Sequence, residues 1–105
     1  MKEISVQDLK QLKDGNIDYQ LIDVRERGEY EMAHIGGELI PMATILDNLD
    51  RISRDKKVVL HCRSGKRSGQ VLQYLEKNHK FENLHNLKGG LIAWAKEIDP
   101  SLTII

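Results

Sequence analysis

The sequence predicts an α/β domain built on a parallel sheet. Short apolar, strand-like runs alternate along the chain with runs whose apolar residues recur at helical spacing. The clearest strand, Lys57 to His61, leads through a short loop into the clearest helix, Ser68 to His79. No repeat, low-complexity tract or linker interrupts the alternation.

Each element has its own reason. Ile4 begins a very short strand. Ser5, with Asp8 three residues on, resembles a capping box for a helix ending near Gly15. Tyr19 to Val24 reads as a strand with Leu21, Ile22 and Val24 as its apolar members, and Asp23 marks its C-terminal end. A short helix covers Arg27 to Met32. Glu38, Leu39 and Ile40 read as a strand stopped by Pro41. Ile45, Leu46, Leu49 and Ile52 repeat at helical spacing. Lys57 to His61 is β-branched and apolar at its centre. Val71, Leu72 and Leu75 share one face of the helix after it. Leu84 to Leu87 forms a last strand, and Gly89-Gly90 turns the chain into a helix carrying Ile92, Ala93 and Trp94.

Length and composition bound the function. The chain has 105 residues, the size of one compact domain, 1–105. A domain of this size buries roughly two-thirds of its unfolded surface and needs no metal or disulfide staple. One cysteine cannot form an internal disulfide, which suits a reducing, cytoplasmic setting. The opening MKEISVQDLK has no apolar core of a signal peptide. No run approaches the roughly 18 apolar residues of a membrane span. Acidic and basic residues balance at 16 each, which argues against broad binding of nucleic acid or anionic membrane.

Against that balance, residues 61–69 read HCRSGKRSG and crowd Arg63, Lys66 and Arg67 around the single thiol. The loop opens at the C-terminal end of a parallel strand, where ligands of open α/β sheets bind. A helix N-terminus leaves backbone N–H groups unpaired and carries partial positive charge. If the loop curls around Cys62, those groups form an anion-binding nest, with Gly65 supplying the unusual backbone angles. A free thiol has a pKa of about 8.5, and such surroundings lower it to roughly 3.5–7.5. Cys62 is thus expected to be an ionised nucleophile. The alternative is a small buried hydrophobe at a strand end. Cations at a helix N-terminus oppose its dipole, so something anionic is expected nearby.

Three segments resemble the rhodanese family of sulfurtransferases over nearly the whole chain. Cys62-Arg63-Ser64-Gly65-Lys66-Arg67-Ser68 is similar to its C-x-x-G-x-R-S loop. Asp23-Val24-Arg25 with Glu29-Tyr30 and His34-Ile35 is similar to its D-V-R-x-x-x-E-[FY]-x-x-x-H-I segment. Asn86-Leu87-Lys88-Gly89-Gly90 with Ala93-Trp94 is similar to its closing N-L-x-G-G-x-x-x-W segment. The resemblance implies a five-stranded, mostly parallel sheet flanked by helices on both faces. It also implies that Cys62 takes a sulfane sulfur from a donor such as thiosulfate or glutathione persulfide, becomes a persulfide, and passes the sulfur to cyanide or a thiol. No metal or organic cofactor is implied. With no second cysteine, the acceptor comes from outside the chain; thioredoxin or a sulfur-relay protein would serve.

By position, the amides of residues 63 to 67 form the cradle, which places Arg63, Ser64, Gly65, Lys66 and Arg67 at the donor. Arg67 matches the family's loop arginine and is expected to meet the anion. Arg63 and Lys66 tune the donor or steer an acidic partner. Ser68, Asp23 and Arg25 support the loop. Asp23 and Arg25 have two readings: general base and anion binder, or a framework in which Asp23 accepts loop hydrogen bonds and Arg25 pairs with Glu29 or another acid. His34 is either a base or a framework histidine. His61 points under the loop, and Trp94 lines the core or pocket wall. His79 and His85 are too scattered for a metal site.

Two other classes are weighed. His61-Cys62 followed by arginine resembles the cysteine phosphatase and arsenate reductase signature H-C-x5-R. Here only four residues separate Cys62 from Arg67, which makes a smaller cradle. A non-catalytic regulatory module is the other reading, and the intact Cys62 loop argues against it.

Overall fold

The computed structural model describes residues 1–104. Five strands, β1 (Glu3–Ile4), β2 (Tyr19–Asp23), β3 (Glu38–Leu39), β4 (Lys57–His61) and β5 (Leu84–Leu87), form one sheet in the order β1-β5-β4-β2-β3. Every pairing is parallel. The helices are α1 (Val6–Asp14), α2 (Arg27–Met32), α3 (Lys66–His79) and α4 (Gly90–Glu97).

Period-two alternation divides the core between two faces. Ile22, Val24, Val58 and Leu60 pack with Val71, Leu72 and Leu75 of α3. Leu21 and Val59 pack with Val6 and Leu9 of α1 and Leu91 and Trp94 of α4. Trp94 is thus a core residue of the second face. Among the described residues no helix is long and apolar enough to cross a membrane.

Two elements differ in detail from what the sequence predicts. The apolar repeat from Ile45 to Leu49 lies in a 3₁₀ segment, Met42–Arg51, broken at Asn48, and Ile52 caps its C-terminal end. The Asn48 side-chain amide donates to the Thr44 carbonyl at 2.8 Å, occupying the acceptor that an α-helix would offer to the Asn48 N–H. Helix α3 begins at Lys66, two residues before its expected start, because Gly65 caps it in the left-handed conformation (φ +99°).

The parallel ladders bring the C-terminal ends of β2, β4 and β5 to one edge. Asp23 pairs in register with His61, and Leu60 with Asn86. The loop after β4 therefore has β2 on one side and β5 on the other.

Candidate active site

Cys62 follows the last residue of β4 and is 1% exposed. The chain then doubles back through Arg63, Ser64 and Gly65 into α3, so that two N–H groups and one hydroxyl converge on the sulfur. The Gly65 N–H donates to Cys62 Sγ at 3.1 Å, the Ser68 N–H at 3.5 Å, and the Ser68 hydroxyl oxygen lies at 3.4 Å. Of the amides expected to form the cradle, residues 63–67, that of Gly65 meets the sulfur while that of Lys66 turns to Ser64 Oγ at 3.4 Å, and Ser68 joins from outside the expected span.

Helix α4 sets the orientation of the loop peptides. The Leu91 N–H donates to the Cys62 carbonyl at 2.9 Å, and the Ile92 N–H to the Arg63 carbonyl at 3.0 Å. Carbonyl and N–H of one trans peptide point in opposite directions. Drawing the carbonyls of residues 62 and 63 toward α4 therefore turns the N–H groups of residues 63 and 64 the other way. This approach requires Gly90. A Cβ there would lie 2.6 Å from the Arg63 carbonyl oxygen and 2.8 Å from that of Cys62, and its φ is +60°.

Burial pushes the Cys62 thiol up, but donation from the Ser68 hydroxyl and from the N–H groups of Ser68, Gly65 and Ser64 outweighs it. The thiol therefore sits below its ordinary value. Hydrogen bonds lead this effect, ahead of the loop cations. Cys62 is thus buried at a strand end, as one sequence reading has it, while its hydrogen bonds favour the charged form of the sulfur.

The cations have separate engagements. Arg67, expected at the anion, gives both terminal nitrogens to Glu29 instead, Nη1 to Oε1 at 2.7 Å and Nη2 to Oε2 at 2.8 Å. Arg67 is the nearest fit for a cation held against the α3 dipole by an anion, and that anion is a carboxylate of α2. Arg63 is exposed and borders a surface hollow with Ile92, Lys96 and Leu102. Lys66 is exposed, and its N–H meets Ser64 Oγ at 3.4 Å.

Asp23 and Arg25 form a buried pair, with Arg25 Nη2 2.7 Å from Asp23 Oδ2 and Nε 2.9 Å from Oδ1. Arg25 also donates to the Ala33 carbonyl at 2.7 Å, so its guanidinium tethers α2. His61 is fully buried; its Nδ1 lies 3.3 Å from the Cys62 carbonyl and its Nε2 3.5 Å from Asp23 Oδ2. Burial pushes its pKa down despite Asp23, which leaves the ring neutral. His34 is exposed, stacks on Tyr30 with ring centroids 4.1 Å apart, and accepts the Gly36 N–H at 3.0 Å.

Asn86 was legible only as part of a motif, without a role. It is buried on β5, donates to the Gly65 carbonyl at 3.0 Å and accepts from the Ser68 hydroxyl at 2.6 Å. Among the described residues no group of three or more His, Cys, Asp or Glu is placed to hold a metal ion.

A cysteine held in an amide-lined loop, between strand and helix of a five-stranded parallel sheet, defines an α/β domain with a buried, hydrogen-bonded thiol. The sequence pattern of the rhodanese-like domain matches residues 5–97, and the chain belongs to that family. It is 36% identical over 97 residues to a protein of Allochromatium vinosum named "Sulfurtransferase", covering 91% of this chain and 90% of that one. It is 34% identical over 104 residues to "Probable adenylyltransferase/sulfurtransferase MoeZ" of Mycobacterium tuberculosis, covering 96% of this chain but 26% of that longer protein. The crystal structure of a rhodanese-like domain protein from Staphylococcus aureus superposes with a TM-score of 0.83 at 36% identity, over 100% of this chain and 99% of the other.

Proposed function

We propose that this protein transfers sulfane sulfur through a persulfide on Cys62. The observation that carries the reading is the convergence of the Gly65 and Ser68 N–H groups on one buried sulfur, which favours a sulfur anion there. The Cys62 thiolate attacks the outer sulfur of thiosulfate. The S–S bond of the donor breaks, sulfite leaves with the electron pair, and the new Cys62–S–S⁻ keeps its charge in the cradle. An acceptor nucleophile then takes the outer sulfur and regenerates the thiolate; cyanide leaves as thiocyanate. A persulfide donor such as glutathione persulfide reacts in the same way, with glutathione thiolate as leaving group.

The chain's lone cysteine leaves the second transfer to an external acceptor. Similarity to sulfurtransferase-named proteins, one of them much longer than this chain, supports a sulfur-relay protein in that role, and thioredoxin would serve by the same thiol chemistry. Arg63 and Lys66, at the exposed edge of the loop, steer an anionic donor or an acidic acceptor. A reducing, cytoplasmic setting belongs to the same reading, since the thiol must stay free between transfers.

Steady-state kinetics with thiosulfate or glutathione persulfide against cyanide or a thiol acceptor test the proposal. Ping-pong behaviour that vanishes in Cys62→Ser is expected. Turnover that survives in Cys62→Ser, or efficient aryl phosphate hydrolysis as the wild-type activity, would overturn it.

A further inference from the structure

Asn86 lies outside the reacting loop, yet it touches two of the residues that surround the sulfur. It sits on β5 with its backbone fixed from both sides, paired with Leu60 of β4 and with Glu3 of β1. Its side-chain orientation is fixed too. The group 3.0 Å away is the Gly65 carbonyl, which can only accept, so the Asn86 nitrogen must face it. The Asn86 oxygen therefore faces Ser68 Oγ at 2.6 Å. That contact needs a proton, and only the Ser68 hydroxyl has one to give.

The same hydroxyl oxygen lies 3.4 Å from Cys62 Sγ. A serine has one hydroxyl proton. While it points at Asn86, the oxygen turns a lone pair to the sulfur and suits a neutral S–H. When the sulfur is a thiolate, donation to it becomes charge-assisted and stronger. Donation to Sγ then competes with donation to Asn86 for the one proton. In a persulfide the charge lies on the outer sulfur, and the competition at Sγ is weaker.

We propose that Asn86 is a positioning residue that competes with Cys62 for the Ser68 proton, so that the hydroxyl supports the sulfur only while Sγ itself is charged. The proposal rests on Cys62 being the reacting sulfur. By this competition Asn86 keeps the thiolate from being held too tightly to attack, and it pins the Gly65 peptide at the same time.

The test is the titration of Cys62, read from thiolate ultraviolet absorbance and from alkylation rate against pH, in a double-mutant cycle of Asn86→Ala and Ser68→Ala. Losing the Gly65 contact affects both serine and alanine backgrounds alike. The competition exists only where Ser68 is present. Asn86→Ala is therefore expected to move the midpoint lower by about one pH unit with Ser68 present than it does in Ser68→Ala. Asn86→Asp, nearly the same size, is a second probe. Its charge holds the Ser68 proton harder, so the midpoint rises more with Ser68 than without it. Equal shifts in the two backgrounds for both substitutions would overturn the proposal. Intact mass of the wild type after a sulfur donor separates the two claims. Sulfur uptake with additive titrations sinks this proposal alone; coupled titrations with no uptake from any donor sink the sulfur-transfer reading alone.

Discussion

Arg67 and Glu29 meet fork to fork across 38 residues of chain, both terminal guanidinium nitrogens on the two carboxylate oxygens. The pair ties the first turn of α3 to α2, and it neutralises a cation that would otherwise oppose the α3 dipole. Arg67 thereby holds Glu29 down to about 2, from an ordinary 4.5.

This depressed carboxyl predicts an acid limb in stability. The unfolded chain takes up the proton at higher pH than the folded one. The stabilisation is present above about pH 4.5 and is lost as pH falls toward 2. Thermal midpoints measured through that window should drop in the wild type, and drop less in Glu29→Gln. Both groups are partly exposed, so at neutral pH and moderate salt Glu29→Gln should cost about 1 kcal/mol or less.

Gly90 makes a steeper prediction. Gly90→Ala forces a Cβ into the Arg63 and Cys62 carbonyls at a left-handed backbone position. Denaturant titration should show a loss of about 2–4 kcal/mol. Where the variant folds, the turned peptides of residues 62 and 63 present fewer N–H groups to the sulfur. The Cys62 alkylation midpoint should then move up in pH.

His61 predicts a second pH effect, nearer neutrality. Burial keeps its ring unprotonated in the folded state, while the unfolded ring takes up a proton near its ordinary 6.5. Its contribution is present above that pH and is lost as pH falls below it. Folding stability of the wild type should decline from about pH 6.5 downward. His61→Gln should be less stable at pH 8 yet flatter between pH 5 and about 7. A slope unchanged by the substitution would show that His61 is not the group responsible.

Lys66 separates charge from hydrogen bonding. If N–H and hydroxyl donors hold the thiolate, Lys66→Gln should move the Cys62 midpoint by no more than about 0.3 pH units. It should still lower kcat/KM for thiosulfate several-fold at low salt, and the difference should shrink as salt screens the approach of the anion. A midpoint that rises by a full unit would make the cation a principal support of the thiolate.

What could be read from the sequence was local or adjacent along the chain. The β4 strand, the loop and α3 are contiguous, so Val58 to Leu75 carries its own periodicity and its own glycine. The segment from Ile45 to Ile52 has a helical spacing that 3₁₀ and α-helical turns share, and the fold takes the 3₁₀ form with a break at Asn48. The contacts that complete the site join distant segments: Arg67 to Glu29, Ser68 to Asn86, Arg63 to Ile92. They depend on β5 and β2 flanking β4, and spacing along one element carries no information on that order. Arg67 shows the consequence. Its place in the loop motif put it at the anion, whereas the fold places a carboxylate of α2 within its reach.

The most direct test of a Cys62 persulfide is the intact mass of the protein after incubation with thiosulfate or, separately, glutathione persulfide, with Cys62→Ser alongside. Sulfur transfer through Cys62 predicts a gain of about 32 Da, one sulfur, that reductant removes and that Cys62→Ser never shows. No gain from either donor, or an equal gain in Cys62→Ser, would contradict it.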